Sequence, residues 1–204
     1  MKDKIWFTYK ARIKAHERLE RMDFHSQLLL VWYAMLSSIL AILSIRYPKI
    51  LGDNTDILGA ILSIGLLAIS LSVTNRDFRG RAMLMRGNYL HLQKLYNSIQ
   101  AAELIGAEKD IQPTGPVLAQ NNALPIALKA EEQELYAELL RDSENHTSMD
   151  DILARIFSTG LKSRKPSVLE YTRGITSIVL MYLLILALYA IPVLAAYYAM
   201  DTRQ

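Results

Sequence analysis

Three long, predominantly apolar stretches of this sequence contain no charged residue: 28–45, 57–73 and 175–200. As α-helices with a rise of about 1.5 Å per residue they would extend roughly 27, 26 and 39 Å, and the hydrocarbon core of a bilayer is about 30 Å thick. The overall composition hides this feature, because 51% apolar and 21% charged residues would suit an ordinary soluble domain. The concentration of apolar residues in blocks predicts three transmembrane helices, with the lipid bilayer as the first partner.

Positive charge beside these stretches predicts their orientation. Basic residues cluster before the first stretch and after the second, whereas the loop 46–56 between them carries only Arg46 and Lys49. By the positive-inside rule, the N-terminus and the segment after the second stretch face the cytoplasm, and the loop 46–56 is a turn on the outer side. The basic residues expected at the inner membrane surface are Lys10, Arg12, Lys14, Arg76, Arg79 and Arg81.

The first 27 residues are too long and too highly charged for the basic region of a signal peptide. Apolar residues recur at threes and fours in this segment, which predicts an amphipathic helix that runs into the first span: Ile5, Tyr9, Ile13, His16 and Leu19. Two interpretations of its apolar face are open. The face could pack against another helix of the same protein, or it could lie flat on anionic headgroups.

The segment 74–174 is long enough for a small helical domain. Its first helix is expected to continue straight from the second span, a loop is expected at 111–125, and a second helix at 126–141. A third helix should begin near Thr147 or Ser148, with Asp150 and Asp151 in its first turn, and run to Gly160. Ser167 and Glu170 match the capping box that starts a final helix.

The predicted fold class is therefore all-α, with almost no strand signal. Four segments are expected: a cytoplasmic amphipathic helix at 1–27, a transmembrane hairpin at 28–73, a cytoplasmic helical domain at 74–166 and a C-terminal transmembrane helix at 167–204. Pro192 would kink or divide that last helix.

No pattern of catalytic or metal-binding residues is found. The sequence has no cysteine, its four histidines match no common zinc spacing, and it contains no Gly-rich phosphate loop or nucleophile elbow. The acidic pair Asp150 and Asp151 fits a helix's first turn without a catalytic role. We therefore expect no enzyme activity, no cofactor and no metal, and balanced charge in the segment 74–169 gives no reason to expect direct binding of nucleic acid.

Small residues recur within the first two apolar stretches at spacings that let helices approach closely. The spans contain no ionisable residue, which disfavours proton relays and ion-coupled carriers. Serines could line a pore, mediate helix packing, or bond to the backbone of their own helix. The candidate helix-packing or pore-lining residues are Ser37, Ser38, Ala41, Gly59 and Ser63.

The segment Trp6–Leu19, continuing through 26–30 into the first apolar stretch, resembles bacterial SLATT-domain proteins, the SMODS- and SLOG-associating two-transmembrane effectors. The resemblance is closest to the subgroup linked to reverse transcriptases and contributes no active-site residue. It implies a multi-pass protein of the bacterial inner membrane that acts in anti-phage conflict systems and causes cell suicide or dormancy. The third apolar stretch departs from the two spans of the family name.

The leading hypothesis is an oligomeric effector that forms a pore or depolarises the membrane when a cytoplasmic sensor or signal acts on it. The alternative is a membrane scaffold that recruits a soluble partner enzyme, such as a reverse transcriptase, without moving ions itself.

Overall fold

The computed structural model describes residues 2–47, 55–109, 123–142, 144–158 and 164–201, and in these ranges all regular structure is α-helical. This confirms the all-α class. The helices are α1 (Lys2–Arg46), α2 (Thr55–Arg76), α3 (Phe78–Lys109), α4 (Ala123–Arg141), α5 (Ser148–Phe157) and α6 (Val168–Asp201). The predicted loops at 46–56 and 111–125, and the stretch around Gly160, lie largely outside the described residues.

Three of the helical stretches are long and apolar enough to cross a membrane, which confirms the prediction from the uncharged blocks. The blocks fall in α1, α2 and α6, and their large apolar side chains stay exposed: Ile42 is 67% exposed, Leu67 72% and Leu186 65%. In water such exposure would cost about 25 cal/mol for each Å² of apolar surface. Lipid removes that cost, so these surfaces fit a bilayer.

The helices form two compact units. The head unit comprises residues 1–18 and 80–174, and the span unit comprises residues 19–79 and 175–204. Residues from the start of the chain and from its middle thus pack together in the head unit. The limits of the four sequence segments 1–27, 28–73, 74–166 and 167–204 remain predictions.

The core of the head unit joins α1, α3 and α4. Ile5 and Tyr9 of α1 pack with Leu92, Leu95 and Ile99 of α3, and Leu139 of α4 completes the cluster. These residues cluster because apolar side chains three and four positions apart share one face of a helix. The apolar side of the N-terminal helix is therefore used within the protein.

Three helix limits differ from the sequence-based expectation. Helix α5 ends at Phe157, with Ser158 extended as its C-cap, and does not run to Gly160. The predicted straight continuation of α2 into α3 is wrong, because Asp77 interrupts it with a φ of 41°, a left-handed value that Asp tolerates better than most residues. Helix α4 begins at Ala123 and not at Ile126, and includes Pro125. Proline is tolerated there because the amides of a first helical turn have no intrahelical acceptor.

The predicted capping box of Ser167 and Glu170 forms, and a second capping box forms at Thr147 and Asp150. The Thr147 side chain accepts from the amide of Asp150 while the Asp150 carboxylate accepts from the amide of Thr147, at 3.3 and 2.9 Å. At the start of α6, Glu170 and Ser167 make the same exchange, at 3.2 and 2.9 Å. These boxes fix where α5 and α6 begin.

Candidate functional site

The small residues proposed for packing or pore lining lie on open faces of the span helices. The hydroxyls of Ser38 and Ser63 are exposed and donate to the backbone oxygens of Ala34 and Gly59 on their own helices, both at 2.9 Å. A Cβ added at Gly59 would meet no described atom within 4 Å. Ser37 is half-buried and Ala41 exposed. The faces that these residues form are free for lipid or for another chain.

The proposed basic membrane surface divides into groups with different surroundings. Arg76 and Arg79 are exposed, Lys10 lies over the rings of Trp6 and Tyr9, and Arg81 pairs with Glu144. Lys14 bonds to Glu17 at 2.8 Å and lies 5.2 Å from the ring of Phe157. All of these cations retain some exposure.

Arg12 does not fit the predicted membrane surface, because it is 0% exposed. Its Nη1 donates to the carbonyl oxygen of Leu139 at 3.1 Å, and the amide of Asn88 donates to the same oxygen at 2.7 Å. Leu139 lies in the last turn of α4, where carbonyls lack intrahelical donors and the helix dipole favours a cation. Burial nevertheless lowers the pKa of Arg12, and its Nε and Nη2 have no partner among the described residues.

The first group of polar contacts that joins distant parts of the head unit lies at the start of α5. Arg18 of α1 donates from Nε and Nη2 to the two carboxylate oxygens of Asp150, at 3.0 and 3.1 Å. The Asp150 side chain is 0% exposed, whereas the Arg18 side chain keeps 31% exposure. Asp150 therefore has two functions: it caps α5 and holds that helix against α1.

The second group lies at the other end of α5. Arg155 donates to both carboxylate oxygens of Glu170, at 3.0 and 2.6 Å, and also pairs with Asp151 of its own helix at 3.1 Å. The hydrogen bonds from Arg155 and from the Ser167 amide lower the pKa of Glu170 to about 2. One turn further along α6, a Cβ at Gly174 would lie 2.6 Å from Cδ1 of Ile156. Glycine thus permits close contact between α5 and α6.

We call this arrangement the α5 clamp: Arg18, Asp150, Arg155, Glu170 and Gly174. Its short helix is attached at one end to α1 and at the other end to α6. Helix α1 continues unbroken from Arg18 to Arg46, and α6 continues unbroken from Gly174 through Pro192 to Asp201. Each of these helices contains one of the uncharged membrane-length stretches.

The clamp joins α1, α5 and α6 through ion pairs, hydrogen bonds and one close apolar contact. No group of three or more His, Asp or Glu that could hold a metal ion occurs among the described residues. Sequence analysis placed Asp150 in the first turn of a helix and assigned Glu170 to a capping box, but it missed the arginine partners of both. Arg18 is 132 positions from Asp150, so no local pattern signals that pair.

Comparison with known proteins identifies the family to which this chain belongs. Residues 1–198 match the model of a domain family described as SMODS and SLOG-associating 2TM effector domain family 5. The match includes most of α6, so the third membrane-length helix lies within the matched region. No match was found among curated proteins or among solved structures. Because the family model covers nearly the whole chain, this protein belongs to the SMODS and SLOG-associating two-transmembrane effector domain family 5.

Proposed function

We propose that this protein is an oligomeric effector of a bacterial anti-phage system, silent at rest, that opens a pore or depolarises the inner membrane when a cytoplasmic partner or signal acts on the head unit. The family description supports an effector acting at a membrane. The observation that carries the proposal is the α5 clamp. It attaches one short helix to Arg18 of α1 and to Glu170 of α6, and each of these two helices also contains a membrane-length stretch.

In this proposal the intact clamp is the resting state. A signal that moves α5 must overcome the contacts of Arg18 with Asp150, since these hold the helix to α1. Hydrogen bonds to a charged group contribute roughly 1.5–3 kcal/mol, and the partial exposure of Arg18 places this pair towards the lower end. A ligand or partner supplies that free energy if it binds the moved state more tightly than the resting state, because each tenfold difference between the two affinities corresponds to about 1.4 kcal/mol.

An oligomeric effector also needs a surface for self-association, and the exposed faces of the span helices offer one. In lipid, apolar burial gives little drive for helices to associate, so close contact between small residues becomes the main contribution. Gly59 and Ser63 form such a surface on α2, with no described atom packed on Gly59. We propose that copies of the chain meet through this face, and that the serines along it border the permeation path.

Purified full-length protein in liposomes tests the proposal through release of an encapsulated dye, with the genetically adjacent partner and its signal added. We expect release on triggering, and we expect Gly59→Leu to reduce it. Gly87→Leu is a matched control, because Gly87 lies on α3 and also has no described atom within 4 Å of an added Cβ. Vesicles that stay sealed with partner and signal both present would contradict the proposal.

The same preparation separates the effector from a scaffold. A scaffold would retain a soluble enzyme, such as a reverse transcriptase, on the vesicles without dye release and without a change in membrane potential during infection.

A further inference from the structure

We propose that the head unit binds a small phosphate-bearing anion in a cavity between α1, α4, α5 and the backbone at Arg164. The cavity has a volume of about 230 Å³. Its basic residues are Lys4 and Arg164, its hydroxyls belong to Thr8 and Tyr136, and His146 completes the polar lining. This size suits a phosphate with a small substituent, because sites for drug-sized ligands span roughly 300–1,000 Å³.

Neither cation of the cavity, Lys4 or Arg164, forms an ion pair with a described residue, whereas five other basic side chains of the head unit do: Lys2, Lys14, Arg18, Arg81 and Arg155. The guanidinium of Arg164 lies 5.4 Å from the centre of the Phe7 ring, which also lines the cavity. The backbone of Arg164 has a φ of 54°, a left-handed conformation that costs a non-glycine residue roughly 1–2 kcal/mol. Arg164 is thus held in an unfavourable backbone conformation where its side chain borders the cavity.

Among the neutral polar groups of the lining, His146 is the one open to an oxyanion within the described residues, because Thr8 donates its hydroxyl proton to the Lys4 oxygen and therefore accepts the proton of Tyr136. The hydroxyls of Thr8 and Tyr136 lie 2.9 Å apart, and Thr8 also donates to the backbone oxygen of Lys4 at 2.9 Å. The Nδ1 atom of His146 is buried with no hydrogen-bond partner among the described residues. A phosphate oxygen would satisfy this nitrogen in the neutral tautomer that carries its hydrogen on Nδ1.

The electrostatic surroundings favour an anion over a neutral ligand. The charge of Arg12, buried and without a carboxylate partner, acts on His146 and contributes to lowering the pKa of that ring, second to burial. The cavity also contains one carboxylate, Asp151, which shares Arg155 with Glu170, so the charged lining residues are two cations and one anion. The dianion of a phosphate monoester matches the two unpaired cations better than a monocarboxylate does.

Direct binding tests the inference and does not depend on membrane permeabilisation. Full-length protein in phospholipid-free detergent is titrated calorimetrically with inorganic phosphate and with glycerol 3-phosphate, against acetate at equal ionic strength. We expect saturable binding of the phosphates that weakens at least tenfold in the double variant Lys4→Gln/Arg164→Gln. The matched control is Lys94→Gln, an exposed lysine of α3 outside the cavity lining, which should bind as the wild type does.

A second arm distinguishes a soluble phosphate from a lipid headgroup. Nanodiscs with and without phosphatidic acid replace the detergent, and the thermal stability of the protein is measured. Stabilisation by phosphatidic acid that needs Lys4 and Arg164, without binding of soluble phosphates, assigns the cavity to a headgroup. Absence of both effects, or equal phosphate binding by the double variant, overturns the proposal. Both cavity cations are exposed, so an unchanged melting temperature of the ligand-free double variant verifies that it folds.

Discussion

Gly174 offers the sharpest test of the α5 clamp, because substitutions there differ only in how far they push α5 from α6. A Cβ at this position would lie 2.6 Å from Cδ1 of Ile156, 3.3 Å from Cγ2 of Ile152 and 3.5 Å from Cδ2 of Leu153. The closest of these atoms is the end of a flexible side chain and can rotate away. Gly174→Ala should therefore change stability by less than about 1 kcal/mol, since a helix interior favours Ala over Gly by a similar amount.

Gly174→Leu differs because its additional carbons extend towards Ile152 and Leu153 as well, and rotation of one methyl group cannot make room. Overpacking costs typically 1–3 kcal/mol. For a domain of about a hundred residues, each kcal/mol corresponds to a fall of roughly 4–8 °C in melting temperature. We expect a decrease of about 4–24 °C by scanning fluorimetry in detergent, together with dye leakage from liposomes in the absence of any signal.

Two further variants control this result. Gly87→Leu should leave the melting temperature unchanged or slightly raised, because no described atom lies within 4 Å of an added Cβ there. Ile156→Ala combined with Gly174→Leu should recover part of the loss by restoring space. If Gly174→Leu is as stable and as silent as the wild type, the contact between α5 and α6 does not hold the resting state.

The other predictions concern single polar contacts. Asp150→Asn should lower stability by roughly 1.5–2 kcal/mol in thermal or urea unfolding, because it removes the negative charge that Arg18 contacts and one of the two acceptor oxygens. The exposed Asp142→Asn should have little effect, and equal losses would refute the assignment. The carboxylate of Glu170, with its pKa lowered from 4.5 to about 2, contributes stability at neutral pH that is lost as the pH falls from about 4.5 towards 2. Glu170→Gln should remove that part of the pH dependence of the melting temperature. Tyr33→Phe removes the hydrogen bond from its hydroxyl to the Leu188 oxygen, 2.9 Å in length, and should cost about 0.6 kcal/mol in the span unit.

Local patterns in the sequence predicted the helices and their starts well. Uncharged stretches predicted α1, α2 and α6 as membrane-length helices, because the period of the apolar pattern and its length are properties of neighbouring residues. The capping box of Thr147 and Asp150 was predictable for the same reason, since its members are three positions apart.

The clamp and the cavity could not be predicted in this way. Arg18 and Arg12 both stand in a basic segment that precedes a span, which made a membrane-facing surface the natural expectation. Tertiary packing instead places Arg12 against the end of α4 and Arg18 against Asp150, across more than a hundred residues of sequence. The break at Asp77 was missed because a left-handed residue other than glycine leaves only a weak signal.

The most direct test of the central proposal uses the absence of native cysteine in the chain. Cysteines replace Arg155 and Glu170, and a short bifunctional maleimide joins them in the protein reconstituted in dye-loaded liposomes. We expect leakage from the unlinked double variant, in which the ion pair is lost, and sealed vesicles after linking, whereas the same reagent leaves the wild type unchanged. Equal leakage before and after linking would contradict the proposal that α5, held to α6, keeps the membrane closed.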